Sequence, residues 1–129
     1  MRILGHEAVG TVEVVGSGVK TVKAGDRVLV SCVSVCGTCR YCREGHAGQC
    51  LGGGGWILGY KIDGTQAEYV RVPFADASTY PLPDGASDED ILMLADILPT
   101  CACRKPRPRY ATRRYSLIRP PTRACFWTR

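Results

Sequence analysis

Four cysteines spaced Cys36-x2-Cys39-x2-Cys42-x7-Cys50 put three thiols in one tight loop and bring a fourth back after a longer gap. Thiolates at such spacing can close a four-point cage around a cation, and Gly37 and Gly45 let the backbone curl around it. Zinc suits the set because it accepts four thiolates in a tetrahedron and has no redox chemistry of its own. A structural zinc contributes on the order of 10 kcal/mol to folding, enough to order a lobe with little core. Two other chemistries also use clustered cysteines. Iron–sulfur motifs share the C-x2-C-x2-C opening but set the fourth cysteine three residues on, followed by proline. Here the gap is seven residues and Leu51 follows. Disulfides need an oxidising compartment. Spacing alone ranks zinc first, iron–sulfur second and disulfides third, and Cys32, outside the cage, reads as a small buried side chain.

The compartment and the charge narrow the choice. No apolar run approaches the roughly 18 residues of a membrane span. The amino terminus, MRILGHEAVG, lacks the charged-then-apolar layout of a signal peptide. The expected compartment is the cytosol, whose reducing conditions favour metal binding over disulfides. The net charge of +5 is unevenly placed: residues 1–100 hold all 12 acidic and 8 of the 17 basic residues, a net −4, and residues 101–129 carry +9. Only the tail is basic, so the body is not expected to bind nucleic acid.

The elements that must position these residues look β-rich. With 129 residues the chain is one domain's worth. Val9 to Val15 alternates apolar and polar before the turn Gly16-Ser17-Gly18; Arg27 to Ser31 follows the turn at Gly25-Asp26; Ala67 to Val72 is a third run, stopped by Pro73. Short strands with Gly-rich turns suggest a small barrel. One helix is expected from Ser87, where Ser87-x-x-Asp90 resembles a capping box. Ile91, Leu94, Ala95 and Leu98 follow at helical spacing, and Pro99 should end the helix, leaving Asp96 in its last turn. After Thr100 the composition turns Arg- and Pro-rich without Gly or acids, and disorder is expected over 101–129.

Gly5-His6-Glu7-Ala8-Val9-Gly10, Gly-Ser-Gly-Val-Lys at 16–20, Gly25-Asp26-Arg27-Val28 and the cysteine cluster stand in one order along the chain. Asp63-Gly64, Ala67-Glu68-Tyr69, Val72-Pro73 and Ala95-Asp96-Ile97-Leu98-Pro99-Thr100 continue it. In this order the motifs resemble the catalytic domain of zinc-dependent medium-chain alcohol dehydrogenases, over about Ile3 to Thr100. The resemblance implies a mainly β, GroES-like partly open barrel over 1–100, a structural-zinc lobe at 36–50, one short helix and a basic tail at 101–129. It also implies a catalytic zinc whose Lewis acidity turns a bound alcohol into a hydride-donating alkoxide, with NAD or NADP as acceptor. His6 matches a ligand of that zinc, Glu7 the carboxylate beside it, and Asp96 the third-ligand position. Small alcohols or aldehydes are the implied substrates, and family members form homo-oligomers.

The family's remaining cysteine ligand comes from a strand upstream of Gly-His-Glu, and its cofactor domain follows the Pro-Thr step. Neither is among these residues. No G-x-G-x-x-G occurs, and Gly52 to Gly55 reads as a flexible loop. The expectation is a dehydrogenase fragment that holds its structural zinc, has an incomplete catalytic site and is inactive alone; the composition break after Thr100 suggests a frameshift. The alternative is a zinc-stabilised binding module whose basic tail contacts nucleic acid or an acidic partner. Rebuilding of the second metal site by Cys101 or Cys103 is disfavoured, because the family's ligand approaches from a different strand.

Overall fold

The structure is a computed structural model that describes residues 1–102. Its centre is a three-stranded antiparallel sheet in the order β1-β2-β3, formed by Ala8–Thr11, Arg27–Val30 and Thr79–Pro81. Ala8 pairs with Val30 and Thr11 with Arg27, and on the other side Val28 pairs with Pro81 and Val30 with Thr79. β2 lies between two neighbours, which is why Val28, Leu29 and Val30 are all buried rather than alternating. They join Val22, Ile57, Leu58 and Ala95 in the core.

β1 is shorter than its valine pattern predicts, although the ladder reaches Val12, whose N–H donates to the Asp26 carbonyl (2.9 Å) and whose carbonyl accepts from Gly25 N (2.8 Å). Val14 lies beyond that pairing and is exposed. The strand expected at Ala67 to Val72 does not form. The chain just before it bonds irregularly instead, Thr65 and Gln66 donating to the carbonyls of Gly5 and Leu4 (both 3.0 Å). The third strand is Thr79–Pro81, too short and too close to prolines to show a period-two signal.

Helix is spread over four short pieces: α1 (Arg40–Arg43), α2 (Ala75–Ser78), α3 (Asp88–Leu92) and α4 (Ile97–Ala102). Ser87 caps α3 as the capping box implies. Its hydroxyl oxygen accepts from Asp90 N (3.2 Å), and the hydroxyl donates to the Asp90 carboxylate (2.8 Å). Arg27 of β2 pairs with Asp88, tying α3 to the sheet. Substituting Ser87→Ala should cost about 1 kcal/mol, and equilibrium denaturation will show this as a lower midpoint with an unchanged slope.

The single helix expected from Ser87 to Leu98 is interrupted. Residues 93–96 form a turn and α4 begins at Ile97, so Pro99 lies inside the first turn of a new helix. Proline is tolerated there because the first amides of a helix have no intrahelical partner. α4 continues past Thr100 to Ala102. The expected disorder of the tail lies outside the described residues from Cys103 onward.

One close approach fixes the amino-terminal segment. Gly64 lies on the backbone of Leu4 and Gly5, its N–H donating to the Ile3 carbonyl (2.9 Å). A Cβ on Gly64 would overlap the Gly5 carbonyl oxygen and come within 2.6 Å of the Leu4 oxygen and 2.7 Å of Gly59 Cα. The absence of a side chain lets 63–66 clamp the strand of chain that carries His6 and Glu7.

Candidate metal centres

Among the described residues, two groups bring metal-ligating atoms within 4.8 Å of one another: Cys36, Cys39, Cys42 and Cys50, and His6, Glu7 and Asp96. These are the two sets that the sequence singled out.

The cysteine cage hangs from the end of the sheet. Ser34 and Gly55 form an isolated antiparallel bridge, Ser34 N donating to Gly55 O (3.0 Å) and Gly55 N to Ser34 O (2.6 Å), and the chain between them is the lobe. Cys39 is the residue before α1 and Cys42 lies within it, while a 3-10 turn at Ala47–Gln49 delivers Cys50. Gly37 (φ 73°) and Gly45 (φ 81°) take the left-handed conformation on either side of α1, as the curling of the loop requires. The Gly52–Gly55 run is not a free loop: Gly52 lies against Cys36, where a Cβ would come 2.7 Å from the Cys36 Cβ.

The sulfur spacing fits a tetrahedral zinc. With Zn–S near 2.3 Å, tetrahedral geometry sets the sulfurs about 3.8 Å apart. Cys36 Sγ and Cys42 Sγ are 3.9 Å apart, and Cys39 Sγ and Cys42 Sγ 3.4 Å. Backbone amides aim at the cage: Cys36 N donates to Cys50 Sγ and Leu51 N to Cys39 Sγ (both 3.4 Å). The backbone N–H groups of Thr38 and Cys39 pull the Cys36 thiol down to about 5. Amides also lower Cys39, whereas desolvation and the neighbouring Cys39 sulfur push Cys42 up to about 12. Crowded thiols cannot all ionise against one another, and a cation at their centre removes that conflict.

The second group lies where the clamped amino-terminal segment meets the turn before α4. His6 Nε2 and Asp96 Oδ2 are 3.1 Å apart, both side chains about 30% exposed. Thr100 donates its hydroxyl to Asp96 Oδ1 (2.8 Å) and its N–H to the Asp96 carbonyl (3.0 Å), so Asp96 stands at the start of α4 and not in a last helical turn. The Thr100 hydroxyl, and then His6, hold the Asp96 carboxyl below its usual range. The backbone of Glu7 is fixed by Thr65, whose hydroxyl donates to the Glu7 carbonyl (2.9 Å). Trp56 meets the His6 ring edge-on at 5.2 Å.

Thr100, Trp56 and Cys32 were not legible as site residues. Cys32 is only partly buried, not a core side chain. It leaves the end of β2, its N–H facing the Ala95 carbonyl (3.4 Å). Desolvation, and then the charge of Asp96, push its thiol up to about 11. The only sequence signal would have been its place just past the end of a strand.

Comparison with known proteins decides the family. Residues 2–84 match the alcohol dehydrogenase GroES-like domain, well over half of the chain. The chain belongs to the zinc-type alcohol dehydrogenases. It is 40% identical over 99 residues to zinc-type alcohol dehydrogenase B of Aspergillus flavus, covering 76% of this chain but 23% of that protein. Zinc-dependent alcohol dehydrogenase 2 of Streptococcus pneumonia, in its apo form, superposes with a TM-score of 0.71 at 52% identity, over 78% of this chain and 28% of that one. An alcohol dehydrogenase of Escherichia coli CFT073, solved with NADH, gives 0.60 at 33% identity, over 72% and 26%. This dehydrogenase domain therefore spans about a quarter of the length of these relatives. Their fold class, a mainly β GroES-like domain with an open sheet, is the one described above. Among the described residues no helix is long and apolar enough to cross a membrane.

Proposed function

We propose that Cys36, Cys39, Cys42 and Cys50 hold one structural zinc, and that His6, Glu7 and Asp96 are this chain's contribution to a catalytic zinc site in a protein that transfers hydride between a small alcohol or aldehyde and NAD or NADP. The observation that carries the reading is the gathering of four thiols at zinc-like spacing in a lobe hung from a GroES-like sheet. A zinc bound at the second group would supply Lewis acidity to an alcohol oxygen. The protein's own part is positional. Gly64 and Thr65 hold the backbone on either side of His6, donating to the carbonyls of Ile3, Gly5 and Glu7, and Thr100 donates to the Asp96 carboxylate that faces His6. The ring of Trp56 meets His6 edge-on, with centroids 5.2 Å apart.

The cage should keep its zinc after dialysis against a mild chelator. Metal analysis should find that zinc in the His6→Ala variant and not in Cys39→Ser. Loss in both variants, or retention in both, would overturn the division into two sites. Catalysis is proposed for proteins of the relatives' full length, of which this chain spans 23% and 28% in the two cases above. The 129-residue polypeptide contains no G-x-G-x-x-G turn for a dinucleotide pyrophosphate. Incubated alone with zinc, NAD or NADP and short-chain alcohols, it should form no reduced cofactor; alcohol-dependent formation that disappears in His6→Ala would contradict the assignment.

A further inference from the structure

Within the cage, Cys39 and Cys42 lie one helical turn apart with their sulfurs nearly in contact. We propose that they are an oxidant-reactive pair: hydrogen peroxide joins them in a disulfide, and the zinc leaves the lobe. The inference rests on the reading that the cage holds zinc, and adds a reversible modification to it.

Three observations support this pair. The first is distance. Cys39 Sγ and Cys42 Sγ are 3.4 Å apart, against 3.9 Å for Cys36 Sγ and Cys42 Sγ, and against the roughly 3.8 Å that a tetrahedral zinc sets. The second is the backbone. Arg43 N donates to the Cys39 carbonyl (3.1 Å), closing the turn of α1 that carries both cysteines. Cα atoms three residues apart on such a turn are about 5 Å from one another, inside the span of about 4.4–6.8 Å that a disulfide bridges. Joining these two sulfurs therefore needs side-chain rotation and no movement of the main chain. The third is access. Both cysteines are partly exposed, Cys39 stands between exposed Thr38 and Arg40, and exposed Arg43 follows Cys42. Gly52, by contrast, packs against the other two, so that a Cβ there would come 2.9 Å from Cys36 Sγ and 3.6 Å from Cys50 Sγ.

The chemistry closes with peroxide as the only oxidant. One thiolate attacks a peroxide oxygen, the O–O bond breaks, and a sulfenic acid and hydroxide form. The second thiolate attacks that sulfur, the S–O bond breaks with loss of a second hydroxide, and the S–S bond forms. Two thiolates, one hydrogen peroxide and two protons thus give one disulfide and two waters, the two electrons passing from sulfur to oxygen. The zinc is left with Cys36 and Cys50, two ligands where a structural site has four. The lobe then keeps only its attachments at the base, where Val35 N donates to Ser78 Oγ (3.1 Å) and Gly37 lies against Ala77.

The test uses the whole 129-residue chain, reduced and loaded with Zn2+, whose metal content is measured before any oxidant is added. Hydrogen peroxide should release zinc to a colorimetric chelator in step with the appearance of a Cys39–Cys42 disulfide. Trypsin cuts after Arg40, so this link holds two peptides together, and fragmentation identifies the sulfurs. Amide exchange across 36–50 should rise on oxidation while β2 stays protected, and a dithiol reductant with fresh Zn2+ should restore both the zinc and the protection. Zinc retained under peroxide, or released with Cys39 and Cys42 unlinked, would overturn the inference and leave the zinc cage standing. A reduced chain that holds no zinc before peroxide is added would overturn the cage itself.

Discussion

Stripping the zinc from the cysteine cage, or replacing Cys39 with serine, will unfold the lobe between Ser34 and Gly55. None of the residues 35–50 is buried, and neither α1 nor the 3-10 turn at Ala47–Gln49 contributes a core side chain. Four-residue helices do not form by themselves, because nucleating a helix costs more than one turn returns. On the proposed assignment the lobe draws its order from the metal, whose binding is worth on the order of 10 kcal/mol in small zinc domains. Amide hydrogen exchange should show protection across 36–50 with zinc and near-complete loss of it with chelator. Protection in β2, which has its own core of Val28, Leu29 and Val30, should fall much less. Equal protection of the lobe with and without metal would show that the lobe folds without a cation.

The second large effect is expected at a residue without a side chain. Gly64→Ala places a Cβ among the Gly5 and Leu4 carbonyl oxygens and Gly59 Cα, all of them backbone, so no rotamer change relieves the contact. Overpacking of this kind costs about 3 kcal/mol, which lowers the melting temperature by about 12–24 °C in a domain of this size. The displaced segment carries His6, so the variant should also lose its second metal while the cage keeps its zinc. Gly10→Ala is the control, with nothing within 4 Å of the added carbon. If Gly64→Ala melts with the wild type, the clamp on the amino-terminal segment is not as described.

The two candidate metal groups were legible in the sequence for different reasons. The cage was legible because its four cysteines lie within one loop, where spacing alone restricts the chemistry. His6 and Asp96 lie 90 residues apart and meet only through the fold; ordered motifs, not periodicity, linked them. What escaped was decided by backbone partners. Ala67 to Val72 has strand-forming residues, yet the chain leading into it spends its amides on the segment carrying Gly5. Thr79–Pro81 has poor strand composition but lies beside β2. Pro99 was read as a terminator when it opens α4, since proline inside a first turn and proline after a last turn look alike in one dimension. Cys32 was read as core because small thiols are commonly buried, and only the meeting of the end of β2 with the turn before α4 brings its backbone to the Ala95 carbonyl and leaves the residue half-buried.

Native mass spectrometry of the purified 129-residue chain, in the presence of a mild chelator, tests the central claim most directly. The account predicts a mass greater than that of the polypeptide by one zinc ion less the protons it displaces, reverting to the bare polypeptide in Cys39→Ser. A mass carrying iron and sulfide, or a metal-free mass short of hydrogens because Cys36, Cys39, Cys42 and Cys50 have paired as disulfides, would contradict it.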